Sequence, residues 1–412
     1  MHFTNTREGR KGEILMEDPK ERLTTSISTA ELERRWKAVR KMMRKNKIDY
    51  LVMRQDEEFL GGYVKWFSDF SARHSYPFTI IFPVDDEMTF ITCGGFPPAE
   101  PGFPPQWAVR GVKKRLGAPY FESVHYTSTY DAELAVGALK EKKQATIGWV
   151  GKSYIPVTFY EYLRKHLPGR KFVDATEWID QIKVIKSPEE IELIKGTAAL
   201  QDVAMEHVRK SLRPGRRTFE MLAEAQYSCV MQGSERQLIL VNSGPPGMPV
   251  PFVFRRFQNR VIREGDQFSI LLEVNGPGGF YTELGRIFSL GNPPQALQDA
   301  YGLAREAQAL TLKLLKPGAK PKDISDANSD FLEKRGYFPE KRLYAHGQGY
   351  DLVERPLIRH DEPMRIQAGM NLTIHPGATN STVWATVCDN YLVTETGVSP
   401  CLHKTPKEII VV

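Results

Sequence analysis

The feature that most limits what this chain can fold into is an internal repeat. Residues 204–227, AMEHVRKSLRPGRRTFEMLAEAQY, and residues 309–331, ALTLKLLKPGAKPKDISDANSDF, share one design. Each places an amphipathic helix before a basic turn, at Pro214-Gly215 or Pro317-Gly318, and a second helix after it. Apolar strands follow both halves, QFSILLEV after the first and MNLTIH after the second. The pattern predicts a pseudo-twofold α+β domain with a sheet cradled by helices.

Upstream the pattern changes to alternating strands and helices. Beyond Ser28 or Thr29, AELERRWKAVRKMMRKN sets Leu32, Trp36, Val39 and Met42 or Met43 at helical spacing. YLVMR reads as a buried strand, and FTIIFPV and MTFIT as two more joined by a turn at Asp85 and Asp86. Residues 94–105, rich in Gly and Pro, read as a loop. ATIGWVG, TFYEYLRKHL and KFVDAT continue the alternation, which predicts an α/β amino-terminal domain. At KSPEEIELIKGTAAL, Ser187 can cap a helix, Pro188 suits its first turn and Glu190 closes a capping box. The expected division is a flexible arm over 1–28, an α/β domain over 29–182 and the repeat-bearing domain over 183–412.

Composition narrows the function classes. With 412 residues the chain is too long for one ordinary core, and 41% hydrophobic with 26% charged residues fits a soluble globular protein. The net charge of +6 is spread among acidic residues and accompanies no recognition motif, so no nucleic-acid partner is expected. The start has no apolar signal-like core and no run approaches the ~20 apolar residues of a membrane span, so a cytoplasmic location with no membrane contact is expected. Cys93, Cys229, Cys388 and Cys401 are too scattered for a disulfide framework.

Four segments occur in a telling order: GDQFSILLEVNGPGGFYTELGRIF (265–288), AHGQGYDLVERP, AGMNLTIHPG and VCDNYLVTETG. They resemble the metal-binding segments of the creatinase, prolidase and aminopeptidase P superfamily. The resemblance covers about 183–400, and the domain before it is similar to that superfamily's creatinase-type amino-terminal domain. It implies an α/β creatinase-type domain followed by an α+β pita-bread domain, a homodimer, and hydrolysis of a C–N bond in a small nitrogen-containing substrate. Carried over by position, the family's first metal-binding aspartate falls at Leu272, beside Glu273, and the second at Glu283. The ligand histidine is His346, the first glutamate is His375, and the last is Cys388, just before Asp389. Two further family histidines fall at Pro251 and Val353. With leucine and cysteine where carboxylates should sit, a dinuclear manganese or cobalt pair is not expected.

Two readings of the site stand open. Glu283, His346, His375 and Cys388 could converge on a single zinc or iron ion, since O, N, N and S donors suit either. Alternatively the site works without metal, with His346, Glu283 and Glu354 as acid and base groups. Tyr281, Tyr344 and Arg286 are candidate substrate-binding residues, the arginine through a bidentate grip on a carboxylate. Each has a plainer reading: a core histidine, a packed tyrosine, a Glu283–Arg286 pair, an inert buried cysteine, a solvated Glu354–Arg355 pair. A lyase or a non-catalytic binding protein on the same scaffold are the alternatives to a hydrolase.

Overall fold

The computed structural model describes residues 27–60, 62–71, 76–94, 109–340 and 342–412. The expected arm, apart from its last two residues, and the expected loop, apart from Gly94, lie outside the described residues. Helix α1 (Thr29–Asn46) begins where the Ser28 hydroxyl accepts the Glu31 N–H, and it buries Leu32, Trp36, Val39 and Met43. The helices α2 (Gly62–Ser68), α3 (Tyr130–Leu139), α4 (Val157–His166) and α5 (Thr176–Lys183) complete this half. They pack on a six-stranded sheet of β1 (Tyr50–Gln55), β2 (Phe78–Pro83), β3 (Met88–Cys93), β4 (Val112–Ala118), β5 (Thr146–Trp149) and β6 (Lys171–Asp174). Its order is β4-β3-β2-β1-β5-β6, antiparallel where the β2 hairpin enters and parallel at β1-β5 and β5-β6.

The second half opens with α6 (Pro188–Ser211). The Ser187 hydroxyl accepts the Glu190 N–H, and the Glu190 carboxylate accepts the Ser187 N–H, so two orphan donors of the first turn are satisfied. Then come α7 (Thr218–Met231), β7 (Gln237–Gly244), β8 (Gln267–Asn275), β9 (Tyr281–Ser289), α8 (Gln295–Leu314) and α9 (Pro321–Glu333). The strands β10 (Ala345–Gly347), β11 (Glu354–Leu357), β12 (Asn371–Ile374), β13 (Gly377–Thr379), β14 (Trp384–Thr386), β15 (Asp389–Leu392) and β16 (Ile410–Val411) follow. The repeat is visible as two helix pairs, α6–α7 and α8–α9, each turning at a glycine with positive φ, 91° at Gly215 and 87° at Gly318. Only glycine adopts that conformation without a Cβ penalty, which is why both turns carry Pro-Gly.

Two four-stranded sheets result, β16-β9-β8-β7 and β11-β10-β12-β15. A bridge between Gly285 on β9 and Cys388 joins them. Gly285 is required there, because a Cβ at that position would lie 2.9 Å from the Cys388 Cβ and 3.0 Å from a Leu271 methyl. One face of β8–β9 packs Phe268, Ile270, Leu272, Val274, Leu284 and Phe288 against α6 and α7. The outer face of the other sheet packs Ala345, Leu372, Ile374 and Tyr391 in a separate cluster. The faces that remain look toward each other and carry polar side chains.

Candidate functional site

Strand alternation decides which side chains meet between the sheets. In the β8–β9 hairpin Glu273 pairs with Glu283, and Leu272 pairs with Leu284 one step along. Successive residues point to opposite faces, so Leu272 goes to the apolar cluster and both glutamates go to the inner face. The expectation that Leu272 takes the first ligand position is therefore corrected: the carboxylate beside it, Glu273, is the one presented. From the other sheet, His346 pairs with Thr373 and Thr373 with Asn390, which puts all three on one face. His375 and Cys388 lie one alternation further along the same face.

Glu283, His346 and His375 offer ligand atoms that all lie within 4.8 Å of one another. His346 Nε2 is 3.6 Å from Glu283 Oε2, and the two imidazole rings are 5.3 Å apart at 69°. His346 Nδ1 is 3.0 Å from the Gly347 carbonyl, which holds the proton on that nitrogen and leaves the Nε2 lone pair free. His375 as a residue is half-buried, but its Nε2 is shut off from solvent and has no hydrogen-bond partner. Cys388 Sγ sits 3.2 Å from Glu283 Oε1 and 3.2 Å from Thr373 Oγ1.

An amide relay backs these groups. Gln348 Nε2 donates to Glu273 (2.9 Å), Asn390 Nδ2 donates to Gln348 Oε1 (2.9 Å) and to Asn371 Oδ1 (3.2 Å), and the Glu283 N–H donates to Asn390 Oδ1 (2.7 Å). Burial pushes the Glu273 carboxyl up, and the adjacent Glu283 carboxylate pushes it further. Burial would also raise Glu283, but His375, His346 and Cys388 outweigh it and hold that carboxyl low. Burial, then Glu283, raises the Cys388 thiol well above its usual range, and burial lowers His375. The two carboxyls are thus pushed apart, Glu273 upward and Glu283 downward.

Four other candidates are committed elsewhere. Glu354 forms a buried ion cluster, with Lys183 Nζ at 2.7 Å and Lys186 Nζ at 2.7 Å, and is not the catalytic group expected of it. Arg286 is wholly buried and spends its guanidinium on Asp389 at 2.7 Å and on the carbonyls of Gly285, Cys388, Thr405 and Pro406, so it has no donor left for a substrate. Its position was legible, because a residue three places from Glu283 on a strand must face the other way. Tyr344 is packed in the core with its hydroxyl toward Thr311 and the Ile324 carbonyl. The Tyr281 hydroxyl donates to the Glu58 carbonyl at 3.4 Å. Sequence reading missed Gln348, Asn371, Thr373 and Asn390. The period-2 alternation from His346 and His375 would have found the first three.

Comparison with known proteins agrees with this fold. Residues 192–395 match the model of metallopeptidase family M24, and residues 35–185 match the creatinase/prolidase amino-terminal domain. The probable dipeptidase PepE of Mycobacterium tuberculosis is 27% identical over 58% of this chain, and the chain spans 63% of that relative's length. An uncharacterized hydrolase/peptidase y4tL of Sinorhizobium fredii is 27% identical over 93% of this chain and 97% of its own. The X-Pro aminopeptidase structure from Thermotoga maritima MSB8 superposes with a TM-score of 0.76 over 92% of this chain and 99% of its own, at 20% identity. The prolidase structure from Pyrococcus horikoshii OT3 gives 0.73 over 92% and 100%, at 21% identity. Two family models in the expected order, and a fold shared over nine-tenths of the chain, lead to one conclusion: the chain belongs to the creatinase, prolidase and aminopeptidase P superfamily.

Proposed function

We propose that the chain is a hydrolase that cleaves a C–N bond in a small nitrogen-containing substrate, working between the two sheets at Glu283, His346 and His375. The observation that carries the reading is the convergence of one carboxylate and two imidazoles, one of which also has a buried Nε2 without a partner. Families of solved relatives include prolidases and aminopeptidases, and relatives named dipeptidases support a peptide-like substrate. The four-carboxylate, one-histidine set that would hold a pair of metals does not fit the residues present, so the reaction is not built on a metal pair. Water held among the three groups can pass a proton to a Glu283 oxygen as its own oxygen bonds to the electrophilic carbon. The proton then moves to the leaving nitrogen as the C–N bond breaks. We place the boundary between the two domains at residues 182 and 183, and read the assembly as a homodimer in the cytoplasm.

The test is a screen of Xaa-Pro dipeptides, small amides and creatine-like amidines in oxygen-18 water. Amine release with label in the carbon product, lost by orders of magnitude in His346→Ala, is the expected result. An unsaturated product without label would make the protein a lyase. Binding without turnover, unchanged in His346→Ala, would make it a non-catalytic binder.

A further inference from the structure

We infer that Glu283, His346 and His375 bind a single divalent ion of borderline hardness, zinc(II) or iron(II), where the family uses two. This deepens the proposed hydrolase by naming the cofactor of that same site, and it rests on the placement given there. Four features of the site argue for one ion. Two ligands about 2.1 Å from a tetrahedral ion are about 3.4 Å apart. His346 Nε2 and Glu283 Oε2, at 3.6 Å, are too far apart for a good hydrogen bond and close to that separation. The second imidazole brings a buried Nε2 with no hydrogen-bond partner, which in a folded protein calls for an explanation. His346 has the support of a metal-binding histidine, its other nitrogen held by a backbone carbonyl. Two histidines and one carboxylate leave positions for water and substrate, as catalytic sites with three protein ligands do.

The surroundings argue against a second ion. A dinuclear pair needs bridging carboxylates, and the residue that should supply the second bridge is Cys388. Its sulfur falls outside the trio that lies within 4.8 Å, and is held by Thr373 and by Glu283, whose carboxylate it touches as a hydrogen-bond donor. That removes Cys388 from the expected four-ligand set and makes it a positioning residue for Glu283. The first-aspartate side is filled by Glu273 and the neutral Gln348–Asn390–Asn371 relay, which offers amide groups to one another instead of oxygens to a cation.

The full-length protein, stripped with a chelator and dialysed, is titrated with cobalt(II) and followed by its visible d–d absorption, with bound zinc and iron counted by elemental analysis. One equivalent per chain is expected, with no sulfur-to-cobalt charge-transfer band. Affinity should fall at least about 100-fold in Glu283→Gln and in His375→Ala and be retained within about tenfold in Cys388→Ser. Circular dichroism melts of each variant separate lost binding from lost folding, and His375→Ala, at a partly exposed strand end, is the variant expected to fold normally. Two equivalents, a charge-transfer band abolished by Cys388→Ser, or binding unchanged in His375→Ala would each overturn the inference. Because the readout is binding, one bound cobalt with no turnover in the substrate screen would defeat the hydrolase reading alone. Turnover by the stripped protein would defeat the metal inference alone.

Discussion

Glu354→Gln is the most informative single change outside the site, since it separates a structural carboxylate from a catalytic one. The Glu354 carboxylate faces two buried ammonium groups, Lys183 and Lys186, each at 2.7 Å, and Lys183 also lies 2.5 Å from Asp351. These lysines precede α6 at the junction of the two halves, while Asp351 accepts the N–H of Gly62 at 2.7 Å, so the cluster ties α2 and α5 to the pita-bread domain. Glutamine keeps the shape but leaves Lys186 buried without a counter-charge. Removing one partner of a buried pair costs about 3–5 kcal/mol. At roughly 2–4 °C per kcal/mol for a domain of 150–250 residues, the thermal midpoint should fall by about 6–20 °C. Adding Lys186→Met removes the orphaned charge while Lys183 keeps Asp351, so the double variant should recover much of the loss. Thermal and urea unfolding of the wild type, both single variants and the double variant give the coupling directly. An unchanged midpoint in Glu354→Gln, or no recovery in the double variant, would refute the reasoning.

The same cluster predicts the acid limb of stability. Lys183 and Lys186 outweigh the burial that would raise Glu354 and bring its folded value to about 2 from an ordinary 4.5. A depressed carboxylate contributes stability that is fully present above its unfolded value and is lost as pH falls through the folded one, so the loss should run from about pH 4.5 downward and be shallower in Glu354→Gln. The hairpin register predicts that Leu272→Ala destabilises by about 2–5 kcal/mol while Glu273→Gln changes stability by less than about 1 kcal/mol, measured by urea unfolding. The reverse order would mean that Leu272 faces the site. Gly285→Ala should cost about 1–3 kcal/mol, because its new methyl meets the Cys388 Cβ at 2.9 Å, and should weaken cobalt binding in the same sample by displacing the strand that bears Glu283. Ser187→Ala should cost about 1 kcal/mol through the lost cap, with cobalt binding unchanged.

The elements and their order could be read from the sequence because each rests on local chemistry: Ser28 and Ser187 cap helices, Gly215 and Gly318 turn them, and Asp85 and Asp86 turn a hairpin. Positional matching to a family pattern and the strand's own alternation disagree at one point. Counting back from Glu283 gives Leu272, but the chain's own alternation, with Phe268, Ile270, Leu272 and Val274 apolar, already assigns Leu272 to the core and Glu273 to the other face. The same parity separates Arg286 from Glu283 and explains its burial against Asp389. Periodicity therefore should outrank positional correspondence when the two disagree within a strand. Glu354 is a different case, because no local pattern shows that Lys183 and Lys186, far earlier in the chain, return to neutralise it. Its neighbour Arg355 suggested a solvated pair, yet that arginine bonds Glu362 and Glu177 while Glu354 turns inward. Adjacent residues on a strand cannot share a face, so a long-range partner for Glu354 was required, and only the fold could say which.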